Sequence, residues 1–335
     1  MWRAGLSIDL GSTTLRAAAS AWFGAEVKTH ADLAIPAFIA LTSAGKVLIG
    51  HEAQSVEQQS PGNVFRVGSL LRRLHEQRAN DPEGLEPPPR VTVASVAGRP
   101  RDMLVAELLA MLFWRLREVA QERLGLDAVE SLVLSVPALL GMVQRRTLEE
   151  AAVLAGFRRL RLLRSPLGAV LWKYLTPSTR SVCGAQVACG TGKKGKGAEE
   201  RRSEGELQVL AIDVGSGHLS CTLVVIENGV FEVRWAGGRV VGGSDIDECL
   251  AKSCAARARR SRGEPGAGPL LLDSVQPAAW QRLLNACEKA KRSLTTAASG
   301  TVRVPVHKDV WSACGVGGER PSESVELPTA SDVEE

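Results

Sequence analysis

Ile8-Asp9-Leu10-Gly11-Ser12-Thr13 ends an apolar, strand-like run with a carboxylate and a tight turn, and Ile212-Asp213-Val214-Gly215-Ser216-Gly217 does the same in the second half of the chain. Each turn leads back into another apolar run. One such turn alone is what any Asp-Gly hairpin gives. Two, at corresponding places in two halves, point further. Convergent backbone N–H groups of such turns cradle a phosphate, and the Asp stands where a hydrated Mg²⁺ bridges to it. The residues therefore predict a nucleotide clamp made of two similar halves.

Outward from the first turn, residues 5–29 read as three short strands, with a break at Gly24 that turns the second into the third. Residues 30–100 mix short apolar runs with Pro, Gly and charge, including Pro87-Pro88-Pro89, and predict an irregular insertion with helix only around Leu70–Gln77. Next comes a well-signalled helix. Asp102 stands at its N-cap, Val105, Leu108, Leu109, Leu112, Leu116 and Val119 form its apolar face, and Gly125 stops it. A strand at 131–136, a helix at 143–155 ended by Gly156 and a strand at 160–163 follow. Strand, helix, strand in that order implies parallel pairing.

Residues 177–206 are Gly, Ser, Lys, Glu and Arg in low-complexity order and divide the chain into halves. Beyond them the pattern opens as before: strands at 207–213, 219–226 and 230–236, the last two joined by Asn228-Gly229, a hairpin turn. Helices at 245–258 and 276–294 and a strand at 301–306 come next, and the acidic stretch from Glu319 is expected to be disordered.

The 335 residues are 44% hydrophobic and 23% charged, an ordinary globular composition. A net charge of +4 is too small for a strong non-specific grip on nucleic acid or an acidic membrane. Seven cysteines without a CxxC pair argue against a disulfide framework and a structural zinc. The most apolar stretch, Leu104–Trp114, carries Glu107 and is too short for a bilayer. With no leader-like N-terminus, the reading is a reduced, cytosolic or also nuclear protein with neither nucleic acid nor membrane as a partner.

Further motifs carry a resemblance. Leu134-Ser135-Val136-Pro137-Ala138 is followed by Gln144-Arg145-Arg146 and Ala155-Gly156-Phe157, and Glu227-Asn228-Gly229-Val230-Phe231-Glu232-Val233 by Val241-Gly242-Gly243-Ser244-Asp245-Ile246-Asp247. Ala286-Cys287-Glu288-Lys289-Ala290-Lys291-Arg292-Ser293-Leu294 comes last. With the two phosphate turns, this ordered set resembles the nucleotide-binding domain of the seventy-kilodalton heat-shock chaperones, the DnaK-like branch of the actin and hexokinase superfamily. The resemblance runs from residue 4 to about 306.

It implies an α/β, two-lobed actin-like ATPase fold with ribonuclease H-like lobes and an incomplete second lobe. The boundaries it suggests are lobe one at 1–176, a loop at 177–206, part of lobe two at 207–310 and an acidic tail at 311–335. ATP or ADP with Mg²⁺ is the implied ligand. Gly11, Ser12 and Thr13 match the first phosphate loop, Gly215, Ser216 and Gly217 the second, and Asp9 and Asp213 the carboxylates around the metal and its waters. Gly242, Gly243 and Ser244 match a further turn near the phosphates, and Glu288, Lys291 and Arg292 a helix face that packs on adenosine.

Departures from the family pattern bear on catalysis. Gly68 stands where the family carries a lysine that positions the attacking water. Ser165, in Arg164-Ser165-Pro166-Leu167, stands where it carries a glutamate, and His218 and Ser220 replace a Thr and an Asp of the second loop. Phosphoryl transfer depends on positioning and electrostatics, so binding is expected to outlast hydrolysis, and Gly68→Lys with Ser165→Glu is expected to restore turnover. The resemblance implies co-chaperones or nucleotide-exchange factors as partners, and no peptide-binding domain is expected in this chain. The alternative reading is a non-enzymatic interaction or regulatory protein that keeps the fold without turning nucleotide over.

Overall fold

The computed structural model describes residues 3–23, 26–57, 59–80, 87–96, 99–125, 128–175, 206–260, 277–294, 303–306 and 323–326. They fall into two compact units, Met1–Val240 and Val241–Glu335.

The first unit opens with β1 (Arg3–Leu10), in which Ala4, Leu6, Ile8 and Leu10 point into the core while Ser7 and Asp9 point to the other face. That is the period-2 alternation of a strand with two different faces. β2 (Thr14–Phe23) buries Leu15, Ala17, Ala19 and Ala21 on the same core side, and β3 (Glu26–Pro36) completes the antiparallel meander.

Where an irregular insertion is expected, the chain is instead ordered. β4 (Phe38–Leu41) lies between β5 (Val47–Ile49) and β6 (Val64–Arg66), with the short helix α1 (Gly50–Ser55) between those two in sequence. Helix α2 (Val67–Asn80) follows directly and is longer than the stretch expected from sequence. β7 (Arg90–Val96) and β8 (Arg99–Leu104) form a separate ribbon. Asp102 lies in β8 and is not the N-cap of the next helix, because its Oδ1 accepts a hydrogen bond from Thr92 Oγ1 at 2.7 Å across that ribbon. Helix α3 (Val105–Leu124) starts three residues later, where the Glu107 carboxylate accepts the Leu104 N–H at 2.7 Å.

α3 is the main apolar element: Val105, Leu108, Leu109, Leu112 and Phe113 are each fully buried. It ends at Gly125 in the left-handed region, φ 62°, as expected. β9 (Ser131–Val136), α4 (Met142–Leu154), β10 (Arg159–Arg164) and α5 (Ser165–Leu175) follow. β9 pairs parallel with both β1 and β10, which gives the sheet order β10-β9-β1-β2-β3. The parallel pairing read from the strand, helix, strand order is thus present.

β11 (Leu207–Val214), β12 (Leu219–Glu227) and β13 (Val230–Arg239) repeat the opening meander as a separate three-stranded sheet. Asn228 at φ 50° and Gly229 at φ 77° make the hairpin turn between the last two. This sheet belongs to the first compact unit. The physical reason is helix α5, whose Val170 and Leu167 pack on Val209, Val224 and Ile226. The two compact units meet in sequence at 240/241, and of the 177–206 stretch expected to divide the chain only residue 206 is described.

In the second unit α6 (Gly243–Arg260) packs on α7 (Pro277–Leu294), and α7 packs on β14 (Arg303–Val306). β14 pairs antiparallel with β15 (Glu323–Glu326). These four residues lie in the acidic stretch expected to be disordered, and they pair as a strand with Val325 opposite Val304. Gly317–Pro321 and the other residues of that stretch lie outside the described ones.

Candidate functional site

The non-core face of the first sheet forms the floor of a cavity of about 480 Å³. Alternation puts Ser7 and Asp9 of β1, Arg16 and Ala18 of β2, and Val133 and Ser135 of β9 on that floor. The start of α5 contributes Ser165, Pro166 and Gly168, and the end of β11 contributes Ile212 and Asp213. The volume is that of a small-molecule site. The fold thus brings Asp9 and Asp213, distant in sequence, to one cavity. The Asp213 carboxyl is pushed above the usual carboxylate range, first by desolvation and then by the negative charge of Asp9.

Both Gly/Ser turns are tight. The Gly11 N–H donates to the Asp9 carbonyl at 3.0 Å, and a Cβ at position 11 would collide with the Thr14 carbonyl oxygen. The Gly215 N–H donates to the His218 carbonyl at 2.9 Å. The two turns also meet each other: a Cβ on Gly217 would lie 2.7 Å from Ser12 Oγ. Ala37 fixes the first turn from behind. Its N–H donates to the Thr13 carbonyl at 2.9 Å, and its carbonyl accepts the Val67 N–H at the start of α2, also at 2.9 Å.

That tether places Gly68 directly against the first turn. A Cβ at 68 would lie 2.7 Å from the Ser12 carbonyl oxygen and 2.9 Å from Ser12 Cβ. A lysine at 68, the substitution expected to restore turnover, would therefore set its Cβ against the Ser12 backbone and require the first turn to shift. Ser165 is differently placed. It lines the cavity, receives a hydrogen bond from Ser135 Oγ at 3.2 Å and donates to the Val136 carbonyl at 3.1 Å.

The two replacements in the second loop face away from the cavity. Ser220 is buried and its Oγ accepts the Ala138 N–H at 3.2 Å, so its role is to hold the loop after β9. His218 meets His75 of α2 edge-on, with ring centroids 6.4 Å apart, beside Pro137 and Gln144. Sequence reasoning missed this pairing, because nothing in the pattern brings α2 to the second turn. It also missed Arg16, whose signal was its place opposite Asp9 in the β1–β2 register.

In the second unit the Gly242 N–H donates to Asp245 Oδ2 at 2.7 Å, which fixes the Gly242-Gly243-Ser244 turn at the start of α6. Lys291 reaches across from α7 and donates to the Gly243 carbonyl and to Asp247 Oδ2, each at 2.7 Å. Glu288 and Arg292 pair with each other at 2.8 Å on the helix surface. The three α7 residues therefore divide: Lys291 turns inward to the glycine turn, while Arg292 stays in solvent. Burial raises the Asp247 carboxyl above its ordinary range, against the lowering effect of Lys291. Cys254 and Cys287 are buried together between α6 and α7, and their contact with burial pushes the Cys287 thiol far up.

The residues fit a phosphate ligand. Glycine turns that exclude a Cβ let a ligand come close to the backbone, although the Gly11 and Gly215 N–H groups are themselves donated within the turns, and Asp9 and Asp213 suit a hydrated Mg²⁺ that keeps most of its waters. Among the described residues there is no cluster of three or more His, Cys, Asp and Glu that would hold a metal by protein ligands alone. No helix among them is long and apolar enough to cross a membrane.

Heat shock 70 kDa protein 2 of Paracoccidioides lutzii is 29% identical over 283 residues, which cover 80% of this chain and 38% of that protein. Heat shock 70 kDa protein BIP3 of Oryza sativa is 29% identical over 78% of this chain and 36% of its own length. A heat shock protein of Pyricularia oryzae is 27% identical over 89% of this chain and 45% of its own. The chain thus spans 36–45% of the length of these relatives. The sequence model of the family described as Hsp70 protein matches residues 6–310, nearly the whole chain from the first strand to just beyond β14, and the protein belongs to the Hsp70 family.

Proposed function

We propose that this chain binds ATP or ADP through the cavity on the β1–β2–β9 face and turns it over slowly, as an Hsp70-family nucleotide-binding domain in a two-lobed, actin-like arrangement. The observation that carries the reading is the convergence of Asp9 and Asp213 on one cavity, with the two Gly/Ser turns in contact at Ser12 and Gly217. The turns offer N–H donors to phosphate, and the two carboxylates would hold a hydrated Mg²⁺, which when bound neutralises charge on the phosphates. Slow turnover follows from two replaced positions, Ser165 in the cavity and Gly68 against the first turn. Gly68 offers no cation and Ser165 offers a hydroxyl in place of a carboxylate, so the terms that position the attacking water are missing. Co-chaperones or exchange factors are the partners this reading implies, and the cytosol is its setting.

The test is a calorimetric titration of the purified chain with ATP and Mg²⁺, repeated with Thr13→Asp. Thr13 is exposed, so the substitution sets a negative charge on the first turn without disturbing the core. Saturable binding weakened by about tenfold or more in the variant, with unchanged circular dichroism, is expected. Absence of ATP binding by the folded native chain would move the protein to the interaction class.

A further inference from the structure

The two faces of the second sheet, β11–β13, have unlike surroundings. Val209, Val224 and Val233 point to the side that α5 covers. By alternation Leu210, Ile212 and Val214 of β11 leave the opposite side, where they are 55%, 60% and 71% exposed. The strand register carries this apolar surface across the sheet: Leu210 stands opposite Leu223 and Leu223 opposite Trp235, while Val214 stands opposite Leu219. Trp235 is 54% exposed and lies along Gly237, where a Cβ would come within 2.5 Å of its Cζ2. A sheet face left to water is ordinarily polar, and a contiguous apolar one marks a contact surface.

The repeated meander indicates that this face is built to be covered. Asp213 stands near the end of β11 as Asp9 stands near the end of β1, so Leu210, Ile212 and Val214 take the places of Leu6, Ile8 and Leu10. Those three are buried, in the core cluster that α3 and α4 also supply. The neighbouring strands match as well: Leu223, Cys221 and Leu219 of β12 stand where Ala19, Ala17 and Leu15 stand on β2. Among the described residues α5 is the helix that packs on β11 and β12, and it lies on the other side.

The charges at the two ends of the face decide what fits it. Phe231 and Val233 pack under α5, so Glu232 and Arg234, which pair at 3.2 Å, project to the bare side. Glu227 joins them at this hairpin end and makes it net negative, while Arg239, opposite Leu219, makes the far end positive. The face as a whole carries no net charge, so a strongly charged partner finds no complement in it. A second copy does. When two such faces meet with their strands antiparallel about a two-fold axis, the negative end of each lies toward Arg239 of the other, and the apolar middle meets its own kind.

We propose that the face of β11–β13 turned away from α5 is a homodimer interface, covered by the same face of a second copy in an antiparallel two-fold contact. Leu210 and Trp235 are its apolar anchors, and the charged ends set its direction. Ile212 also lines the cavity, so the contact lies beside that site, but the proposal does not depend on what the cavity binds.

The experiment is sedimentation velocity on the full chain, native and with Leu210→Lys or Trp235→Glu, over a range of about 1–100 µM. The native chain is expected to pass reversibly from monomer to dimer in this range, and each variant to weaken association by about tenfold or more. Both positions are exposed, so the variants leave the core untouched, and a thermal melt of each at monomer concentration separates misfolding from lost contact. Hydrogen exchange of the native chain locates the contact without any substitution. Raising the concentration should slow exchange in peptides covering 207–214 and 230–239. A chain that stays monomeric throughout would overturn the proposal and leave the face to another part of the chain or to a different protein. A dimer that survives both variants, protection confined to other segments, or open-ended assembly beyond the dimer would overturn it as well.

Discussion

At the scale of single residues, Gly68 and Ser165 differ in what they allow. A Cβ at 68 meets the Ser12 backbone, so Gly68→Ala should destabilise the chain by about 1–3 kcal/mol, read as a lower midpoint in thermal or denaturant unfolding. Ser165 lines the cavity beside Ser135, and Ser165→Glu should raise steady-state ATP turnover several-fold without Gly68→Lys, measured in a coupled phosphate-release assay. Unchanged turnover in a folded Ser165→Glu chain that binds ATP would mean that the hydroxyl is not standing where a carboxylate is needed. Asp247 titrates in the opposite sense from a typical salt-bridged acid. Its folded-state carboxyl is raised by burial, so the charged form is disfavoured by folding. The stability it contributes is complete below its unfolded value, about pH 4, and falls as pH rises through the raised folded value. Unfolding free energies of the native chain and of Asp247→Asn, measured across that window, should show the difference between them shrinking as pH rises.

At the scale of elements, α3 dominates the core. Phe113 is fully buried within it, and Phe113→Ala should cost about 3–5 kcal/mol in urea unfolding. Elements of this kind were legible from sequence. A helix with Leu108, Leu109, Leu112 and Leu116 on one face, or a strand such as Ser131–Val136 next to parallel partners, is specified by its own periodicity. The start of α3 was not legible, because Asp102 is an equally good cap and a good strand partner for Thr92, and only the β7–β8 ribbon decides between them. The small sheet of β4, β5 and β6 escaped for a similar reason. Its strands are three or four residues long, too short for alternation to speak, and they are held by pairing between distant segments. In the site, the acids and glycine turns carried a local signature. Arg16 and the Ser12–Gly68 contact did not, since each arises from register or from the tether at Ala37.

At the scale of the whole molecule, the division at 240/241 carries its own prediction. Because α5 buries Val170 and Leu167 on β11 and β12, the sheet of β11–β13 completes the first unit. A fragment of residues 1–240 should unfold cooperatively, while 1–176 should expose that face of α5 and aggregate, as gel filtration and a calorimetric scan of each would show. Family membership sets the frame for function, and the chain spans 36–45% of the relatives' lengths.

The place of Ser12 has a consequence in time. One residue touches both Gly68, at the start of α2, and Gly217, in the second turn. Parting the turns to admit or release a ligand therefore means moving Ser12 off Gly217 while α2 holds it from the other side through Ala37. A substitution at position 68 is therefore expected to change how fast a bound ligand leaves. A bulkier neighbour there would lift Ser12 away and shorten the residence of a bound molecule, an effect that stopped-flow displacement would record even where equilibrium titrations look alike.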